Sequence, residues 1–241
     1  MSAPAREERL IVALDVPTPA EARRLVERLG DAVRFYKIGL ELFTAPGAVE
    51  FVEWLAAARR CKVFADLKLY DIPETVRRAV ANLRQSGASF LTVHGHRSVM
   101  EAATHEKGDL KILAVTVLTS FDARDLTEVG AGAGDSVEDL VLGRAQGALE
   151  TGCDGVIASG LEAPRLKQTF GDRLLLVTPG IRPTSAENAR PADDQKRTVD
   201  VAQAFANGAD YIVVGRPIRD AADPRAAAQD IQRTIASVFA A

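Results

Sequence analysis

The sequence predicts a single (β/α)8 barrel, the TIM-barrel fold, over residues 1–241. Short apolar runs rich in Val, Ile, Leu and Phe alternate with longer segments whose apolar residues recur at helical spacing, a pattern typical of parallel βα units. The apolar runs are nearly continuous, as expected for strands that are buried on both faces. The chain has 241 residues, and one barrel domain commonly takes about 200 to 250 residues.

Eight apolar runs are predicted as strands, over residues 10–15, 35–39, 62–68, 89–94, 111–118, 155–158, 174–178 and 211–215. Helices are expected between them, over residues 18–29, 46–60, 73–86, 97–106, 136–151, 161–170, 197–207 and 223–239. Start signals support two of these helices, because Thr18 precedes Pro19 and Ser136 stands three residues before Asp139. Four glycines stand where predicted helices should end, namely Gly30, Gly87, Gly152 and Gly208.

A doubly wound open sheet is the alternative fold. It predicts a glycine-rich phosphate loop after the first strand, and residues 14–22 contain no glycine. The glycine-rich stretch 130–134 does not fit the spacing of a dinucleotide loop and does not directly follow a strand, so we interpret it as a lead-in to the helix at Ser136. The polar connection 182–196 is long for a barrel, and connections of more than about 12 residues in a compact domain are usually lids or disordered.

The composition argues against several classes of protein. Thirty Lys and Arg stand against 33 Asp and Glu, a net charge of -3, which argues against a nucleic-acid binder held by general phosphate attraction. The two cysteines, Cys61 and Cys153, have no metal-site spacing and indicate a reducing compartment. No segment has the roughly 18 uninterrupted apolar residues of a membrane helix, and the N-terminus does not resemble a signal peptide. We therefore expect a cytoplasmic protein that binds neither membrane nor nucleic acid.

Charged residues cluster at the predicted carboxyl ends of the first three strands, where barrels place their active sites. The first strand ends in Asp15, the second carries Lys37, and the third ends in Asp66 and Lys68, with Asp71 just beyond. Asp66 and Lys68 are two residues apart, so on a strand they project to the same side.

The alternation of acid and base suggests a proton donor. Neighbouring carboxylates favour the charged form of a lysine, so we expect Lys68 to be protonated and suited to protonating a carbanion rather than to forming a Schiff base. The alternative is a structural ion-pair network, with Asp71 capping the helix that begins near Pro73. Several desolvated charges on three neighbouring strands would be costly for stability alone, which favours a functional site.

An anion site is predicted after the last two strands. The seventh predicted strand leads into Pro179, Gly180 and Arg182, and the eighth into Gly215 and Arg216. The loops after strands seven and eight form the phosphate site of many barrels. A tight turn with a surface arginine is the alternative.

Other chemistries have weaker support. His94 and His96 share one side of a strand and could hold a metal ion, but no further histidine stands at a strand end, since His105 lies on a predicted helix. Magnesium held by carboxylates stays open. Ser120, Ser159 and the cysteines have no partner at the spacing of a nucleophilic triad.

The sequence motif at the third predicted strand resembles the central motif of the orotidine 5'-phosphate (OMP) decarboxylase family. The motif reads Asp66-x-Lys68-x-x-Asp71-Ile72-Pro73-x-Thr75, and the likeness continues over residues 14–15, 36–39, 115–120, 178–182, 194–195 and 213–218. The resemblance implies decarboxylation of OMP to UMP, with no metal and no cofactor, in a homodimer of barrels. Glu74, the stretch 93–97 and the length of 182–195 depart from the family pattern.

The resemblance also implies roles for individual residues. Lys68 would protonate C6 after carbon dioxide departs, and Asp66 would lie beside the substrate carboxylate. Asp15 and Lys37 would hold ribose hydroxyls, with Lys37 belonging to the catalytic array as well. Asp71 and Thr75 would reach across the dimer interface. Thr119 would contact the pyrimidine, and Pro179 would lie against the substrate. The phosphate would be bound by Gln195, Gly215 and Arg216, with Arg182 supporting the loop that covers it.

Two other functions remain open. A magnesium-dependent sugar-phosphate decarboxylase of the same superfamily shares the D-x-K-x-x-D core, but Ile72-Pro73 and the absence of a clear extra metal carboxylate at the second strand favour OMP. A non-catalytic phosphate-binding barrel is the third hypothesis, and retention of every charged residue of the array argues against it.

Overall fold

A computed structural model describes residues 4–119, 136–183 and 198–240 and confirms the barrel. All eight strands are parallel, and they pair in chain order until β8 pairs with β1 and closes the sheet. The strands are β1 Leu10–Ala13, β2 Phe35–Gly39, β3 Lys62–Leu69, β4 Phe90–His94, β5 Lys111–Val115, β6 Gly155–Ile157, β7 Leu175–Thr178 and β8 Tyr211–Val214.

Helices lie outside the sheet, between successive strands. Within the described residues the α-helices are α1 Pro19–Leu29, α2 Leu40–Phe43, α3 Ala48–Glu53, α4 Pro73–Leu83, α5 Arg97–His105, α6 Val137–Glu150, α7 Ala163–Phe170, α8 Val201–Ala206, α9 Arg216–Arg219 and α10 Pro224–Val238. None of the helices in these described ranges is long and apolar enough to cross a membrane.

The element boundaries differ from the sequence prediction in two ways. Several strands end earlier than predicted, since β1 stops at Ala13 and β5 at Val115, because the chain turns into the loops that form the rim of the barrel. The helix predicted over 46–60 is confirmed over most of its length, but its type changes: α3 spans Ala48–Glu53 and continues as a π-helical turn over Trp54–Ala58. The short helix α2 precedes it and was not predicted.

The predicted helix signals are confirmed. The Thr18 hydroxyl accepts a hydrogen bond from the Glu21 amide, and Ser136 and Asp139 form a reciprocal capping box. The four predicted helix-ending glycines all have positive φ, which side chains on L-residues disfavour. Local sequence and global fold therefore agree at these helix ends.

The barrel interior contains a layer of aromatic rings. Phe90 lies at its centre, with ring centroids 4.9 Å from Phe35 and 5.2 Å from Tyr211. Phe64 joins the layer 6.0 Å from Phe90, and all these pairs are edge-to-face, the arrangement that aromatic quadrupoles favour. Aliphatic residues of β1, β5, β7 and β8 fill the rest of the interior, so the barrel is a packed core below its mouth.

Two buried threonines near the carboxyl ends of strands offer a matched test of hydrogen bonding in the fold. Thr178 and Thr116 are both fully buried. The Thr178 hydroxyl has no hydrogen-bond partner among the described residues, whereas the Thr116 hydroxyl donates to the Ile157 carbonyl at 2.8 Å. The same Thr-to-Val change should therefore have opposite effects at the two positions.

We expect Thr178→Val to raise the free energy of unfolding by about 1 kcal/mol, because it removes a buried hydroxyl without a partner. Thr116→Val should lower it by about 1 kcal/mol, because it removes a satisfied hydrogen bond. Urea denaturation of the two variants and the wild type measures both effects. Destabilisation of equal size in the two variants would contradict the assignment of the partners.

Candidate active site

A layer of polar side chains lies directly above the aromatic layer. On β2, β3 and β4 the interior positions read Phe35 then Lys37, Phe64 then Asp66, and Phe90 then Thr92. Because strand residues two apart face the same side, each aromatic ring is followed toward the mouth by a polar group. The aromatic layer therefore forms the floor of a polar site at the carboxyl end of the barrel.

Lys37 and Asp66 of this layer form a continuous ion-paired row with Asp15 and Lys68. Lys68 Nζ donates to Asp66 Oδ1 at 2.8 Å, and Lys37 Nζ lies 3.6 Å from Asp66 Oδ2. Lys37 Nζ also donates to Asp15 Oδ1 at 2.9 Å. The predicted clustering of these four residues is thus confirmed as geometry, with acid and base alternating along the row.

The electrostatics of the row keep its buried members charged. Burial alone would lower the pKa of Lys37, but the carboxylates of Asp66 and Asp15 outweigh burial and raise it. Burial would likewise raise the pKa of Asp66, but the ammonium groups of Lys37 and Lys68 outweigh it and lower the pKa. The row therefore holds fixed charges in a partly dry environment, where electrostatic interactions are strong.

The backbone of β3 is irregular where it carries the row. Ala65 pairs with Leu91 and Leu69 with Val93, so the segment between them bulges against β4. Lys68 lies in the bulge with φ of +48°, a left-handed conformation that is uncommon for a residue with a side chain. The strand predicted through Lys68 is confirmed and the Asp66 and Lys68 side chains meet as expected, but the bulge was not predicted.

A cavity of about 520 Å³ opens above the row at the carboxyl end of the barrel. It is large enough for a nucleotide-sized ligand. Nine of the predicted site residues line it: Asp15, Lys37, Asp66, Lys68, Thr119, Pro179, Arg182, Gly215 and Arg216. A smaller apolar crevice lies elsewhere, beside α7.

The loops after β7 and β8 bring arginines to this cavity. Arg182 and Arg216 line it as predicted, and Arg219 does so as well. The Arg219 guanidinium donates to the Asp15 carbonyl oxygen at 2.6 Å and pairs with Asp220, whose hydrogen bond raises the pKa of Arg219. Arg219 was not predicted as a site residue, although its position three residues after Arg216 puts it on the same side of the short helix α9.

Asp71 and Thr75 lie outside the cavity of their own chain. Both are exposed, and the neighbouring Ile72 side chain is 67% exposed. Asp71 Oδ1 accepts a hydrogen bond from the Ile72 amide, whereas the residue at the N-cap of α4 is Ile72, which has no side-chain cap. The alternative in which Asp71 caps this helix is therefore wrong.

The histidines at the end of β4 contact an aromatic ring. His94 and His96 lie against Tyr70, with ring centroids 5.2 and 4.8 Å from the Tyr70 ring. Burial, then His96, Arg144 and Lys68, lower the pKa of His94. Among the residues that the structure describes, no group of three or more His, Cys, Asp or Glu is placed to hold a metal ion.

One predicted site residue, Gln195, and the glycine-rich stretch 130–134 lie outside the described residues.

Thr92 is a residue of the site that was not predicted. It is fully buried beside Asp66 and Lys68. Its signal in the sequence is a polar residue two positions after Phe90, at an interior position of a strand that is otherwise apolar until its end.

The chain is similar to known proteins over almost its whole length. Residues 8–231 match the model of the Orotidine 5'-phosphate decarboxylase / HUMPS family. An orotidine 5'-phosphate decarboxylase of Methylococcus capsulatus is 59% identical over 234 residues, which are 97% of this chain and 94% of that protein. One of Stenotrophomonas maltophilia is 50% identical over 237 residues, 98% of this chain and 95% of that protein.

Solved structures agree with the sequence relatives. The crystal structure of orotidine 5'-phosphate decarboxylase from Lactobacillus acidophilus has a TM-score of 0.79 and 34% identity, covering 95% of this chain and 99% of that one. The enzyme from Pyrococcus horikoshii has a TM-score of 0.75 and 25% identity, covering 94% and 98%. By its sequence, its fold and its relatives, this chain belongs to the orotidine 5'-phosphate decarboxylase / HUMPS family.

Proposed function

We propose that this protein decarboxylates orotidine 5'-monophosphate to UMP and carbon dioxide, a step of pyrimidine biosynthesis, without a metal or a cofactor. The observation that carries the proposal is the Asp15–Lys37–Asp66–Lys68 row at the bottom of a cavity whose rim bears Arg182 and Arg216. The fixed charges at the bottom of the cavity suit the reacting carboxylate of this substrate, and the arginines at the rim suit its remote phosphate. Family membership and the named relatives support the same reaction.

In the proposed reaction the bond from C6 of the pyrimidine to its carboxylate breaks, and the electron pair stays on C6. Carbon dioxide leaves, and a proton passes from Lys68 Nζ to C6 to give UMP. Solvent then returns a proton to Lys68. The short contact between Lys68 and Asp66 supports this role, because it holds a protonated amine in one place.

Asp66 has a second role in this proposal. A substrate carboxylate placed beside the Asp66 carboxylate experiences like-charge repulsion, which disappears as neutral carbon dioxide departs. The ammonium groups of Lys37 and Lys68 keep Asp66 ionised, as the lowered pKa of Asp66 indicates. Preorganised charges of this kind favour the transition state because they need no reorganisation during the reaction.

The remaining cavity residues are assigned to the nonreacting parts of the substrate. We assign Asp15 and Lys37 to the ribose hydroxyls, and Thr119 and Pro179 to the pyrimidine. Gly215 and Arg216, together with Gln195, would bind the phosphate, and Arg182 would support the loop over it. Binding energy from a remote phosphate can drive closure of the site and so contribute to the rate rather than only to affinity.

We further propose a homodimer in which Asp71 and Thr75 complete the neighbour's site. Both residues are exposed on their own chain, beside the exposed apolar side chains of Tyr70 and Ile72. Asp71 of the partner subunit would then extend the charged row beyond Lys68. An interface at this surface would bury apolar groups that a monomer leaves in water.

We place the protein in the cytoplasm. Two free cysteines support this assignment: Cys153 is buried, and its burial raises the pKa of the thiol to about 11, while Cys61 is half-buried. Unpaired thiols are typical of a reducing compartment. The assignment also places the enzyme where nucleotide synthesis takes place.

The reaction is tested by following the ultraviolet absorbance of OMP with purified protein that has been treated with EDTA. We expect conversion to the UMP spectrum at a rate that EDTA and added magnesium leave unchanged. An absolute requirement for magnesium would favour the sugar-phosphate decarboxylase hypothesis instead. Nucleotide binding without turnover would favour a non-catalytic phosphate-binding barrel.

The phosphate assignment is tested by Arg216→Ala. We expect UMP binding to weaken by about 10- to 100-fold, because a hydrogen-bonded charge contact is removed, while uridine binding is unchanged. Isothermal titration calorimetry measures both ligands. Arg233→Ala, at an exposed arginine paired with Asp230 on α10, is the matched control. Equal weakening of UMP and uridine would contradict the assignment.

The shared site is tested by mixing two inactive variants, Lys68→Ala and Asp71→Ala. Each homodimer should lose turnover, but a heterodimer would contain one site with both residues intact. After unfolding and refolding of an equal mixture, we expect roughly a quarter of wild-type activity for a two-fold symmetric dimer with random pairing. A mixture as inactive as the two parents would show that Lys68 and Asp71 act from the same chain.

A further inference from the structure

Thr92 holds two parts of the charged row at once. Its Oγ1 accepts a hydrogen bond from the backbone amide of Lys68 at 3.0 Å and donates one to Asp66 Oδ1 at 2.9 Å. The same Asp66 oxygen accepts from Lys68 Nζ at 2.8 Å. The hydroxyl thereby closes a hydrogen-bonded ring that joins the backbone and the ammonium group of Lys68 to one carboxylate oxygen.

The location of Thr92 explains why a hydroxyl is needed there. It stands opposite the bulge of β3, where the regular ladder between β3 and β4 is interrupted. A backbone amide in such a bulge loses its ladder partner, and leaving it without another partner destabilises the fold. The Thr92 hydroxyl supplies the acceptor that the strand backbone does not provide.

The same contact supports an unusual backbone conformation. A left-handed backbone is strained at a non-glycine residue and persists only where the surroundings fix it. Lys68, at φ of +48°, is such a residue, and Arg60 is the other non-glycine residue with positive φ in the described part of the chain. Thr92 is fully buried, so its hydroxyl has little freedom to lose the two contacts.

We propose that Thr92 is a positioning residue, which fixes the site of the Lys68 ammonium group by holding the left-handed backbone of Lys68 and the carboxylate of Asp66 together. The inference rests on the proposed function, since it assigns Lys68 the proton transfer. Thr92 itself touches neither substrate nor the reacting carbon in this scheme. It acts through the two residues that do.

Two substitutions separate this role from simple packing. Thr92→Val keeps the shape and removes the hydroxyl, whereas Thr92→Ser keeps the hydroxyl and removes a methyl group. We expect Thr92→Val to lower kcat on the order of 10²-fold, the effect of displacing a catalytic group by about 1 Å. KM for OMP should change by less than about threefold, because the phosphate and ribose contacts are intact. Thr92→Ser should retain most of the wild-type kcat.

Thr116→Val is the matched control, because it removes an equally buried hydroxyl one strand away that bonds only the Ile157 carbonyl. It should leave kcat unchanged. An equal fall in kcat for Thr92→Val, Thr92→Ser and Thr116→Val would reveal a general packing effect and overturn the proposal. Should Thr92→Val not fold, Thr92→Cys replaces it, because a thiol is only a weak donor and acceptor.

Crystal structures of the variants decide the placement independently of turnover. In Thr92→Val we expect Lys68 to leave the left-handed region and its Nζ to separate from Asp66 Oδ1, whereas Thr92→Ser should keep both features. An unmoved Lys68 in Thr92→Val overturns the proposal, whatever its kcat. If the wild type does not convert OMP, the proposed function fails, and the same structures still show whether Thr92 positions Lys68.

Discussion

The Asp66 carboxylate between two lysine ammonium groups is the interaction on which this site depends. A lone carboxylate at this depth would become protonated rather than remain charged, and a lone buried lysine would lose its proton. The row keeps Asp66 and Lys37 ionised because each charge stabilises its neighbour, as their opposite pKa shifts indicate. Removing one member would therefore disturb the charge of the others, which makes the row a cooperative unit rather than a set of separate side chains.

The barrel makes this row possible by its geometry. Parallel strands that pair in chain order bring the carboxyl ends of β1, β2 and β3 side by side, so Asp15, Lys37 and Asp66, which are distant in the sequence, form ion pairs. The aromatic layer beneath, with Phe64 below Asp66, packs the barrel interior. Lys37, Asp66 and Lys68 line the cavity above it.

Much of the fold and part of the site could be predicted from the sequence. Periodicity located all eight strands, because parallel strands buried on both faces leave apolar runs, and the position of Asp15, Lys37 and Asp66 on those strands indicated their meeting. The bulge at Lys68 could not be predicted, since it depends on which β4 residue faces the irregular segment, and that register is a tertiary property. The role of Thr92 is hidden for the same reason, because a single threonine in a strand is ordinary until its two partners are known.

The bottom and the rim of the cavity are built from different parts of the fold. The charged row lies at the carboxyl ends of β1, β2 and β3, above a floor of packed aromatic and aliphatic side chains. The arginines lie at the rim, on the segments that follow β7 and β8. Chemistry that relies on preorganised charge needs the first environment, and capture of a substrate needs the second. Asp71 belongs to neither within one chain, because it is exposed outside the cavity. Asp71, the next acidic residue along the sequence, is therefore not part of the row within one chain, and the proposed homodimer would assign it to the neighbour's site.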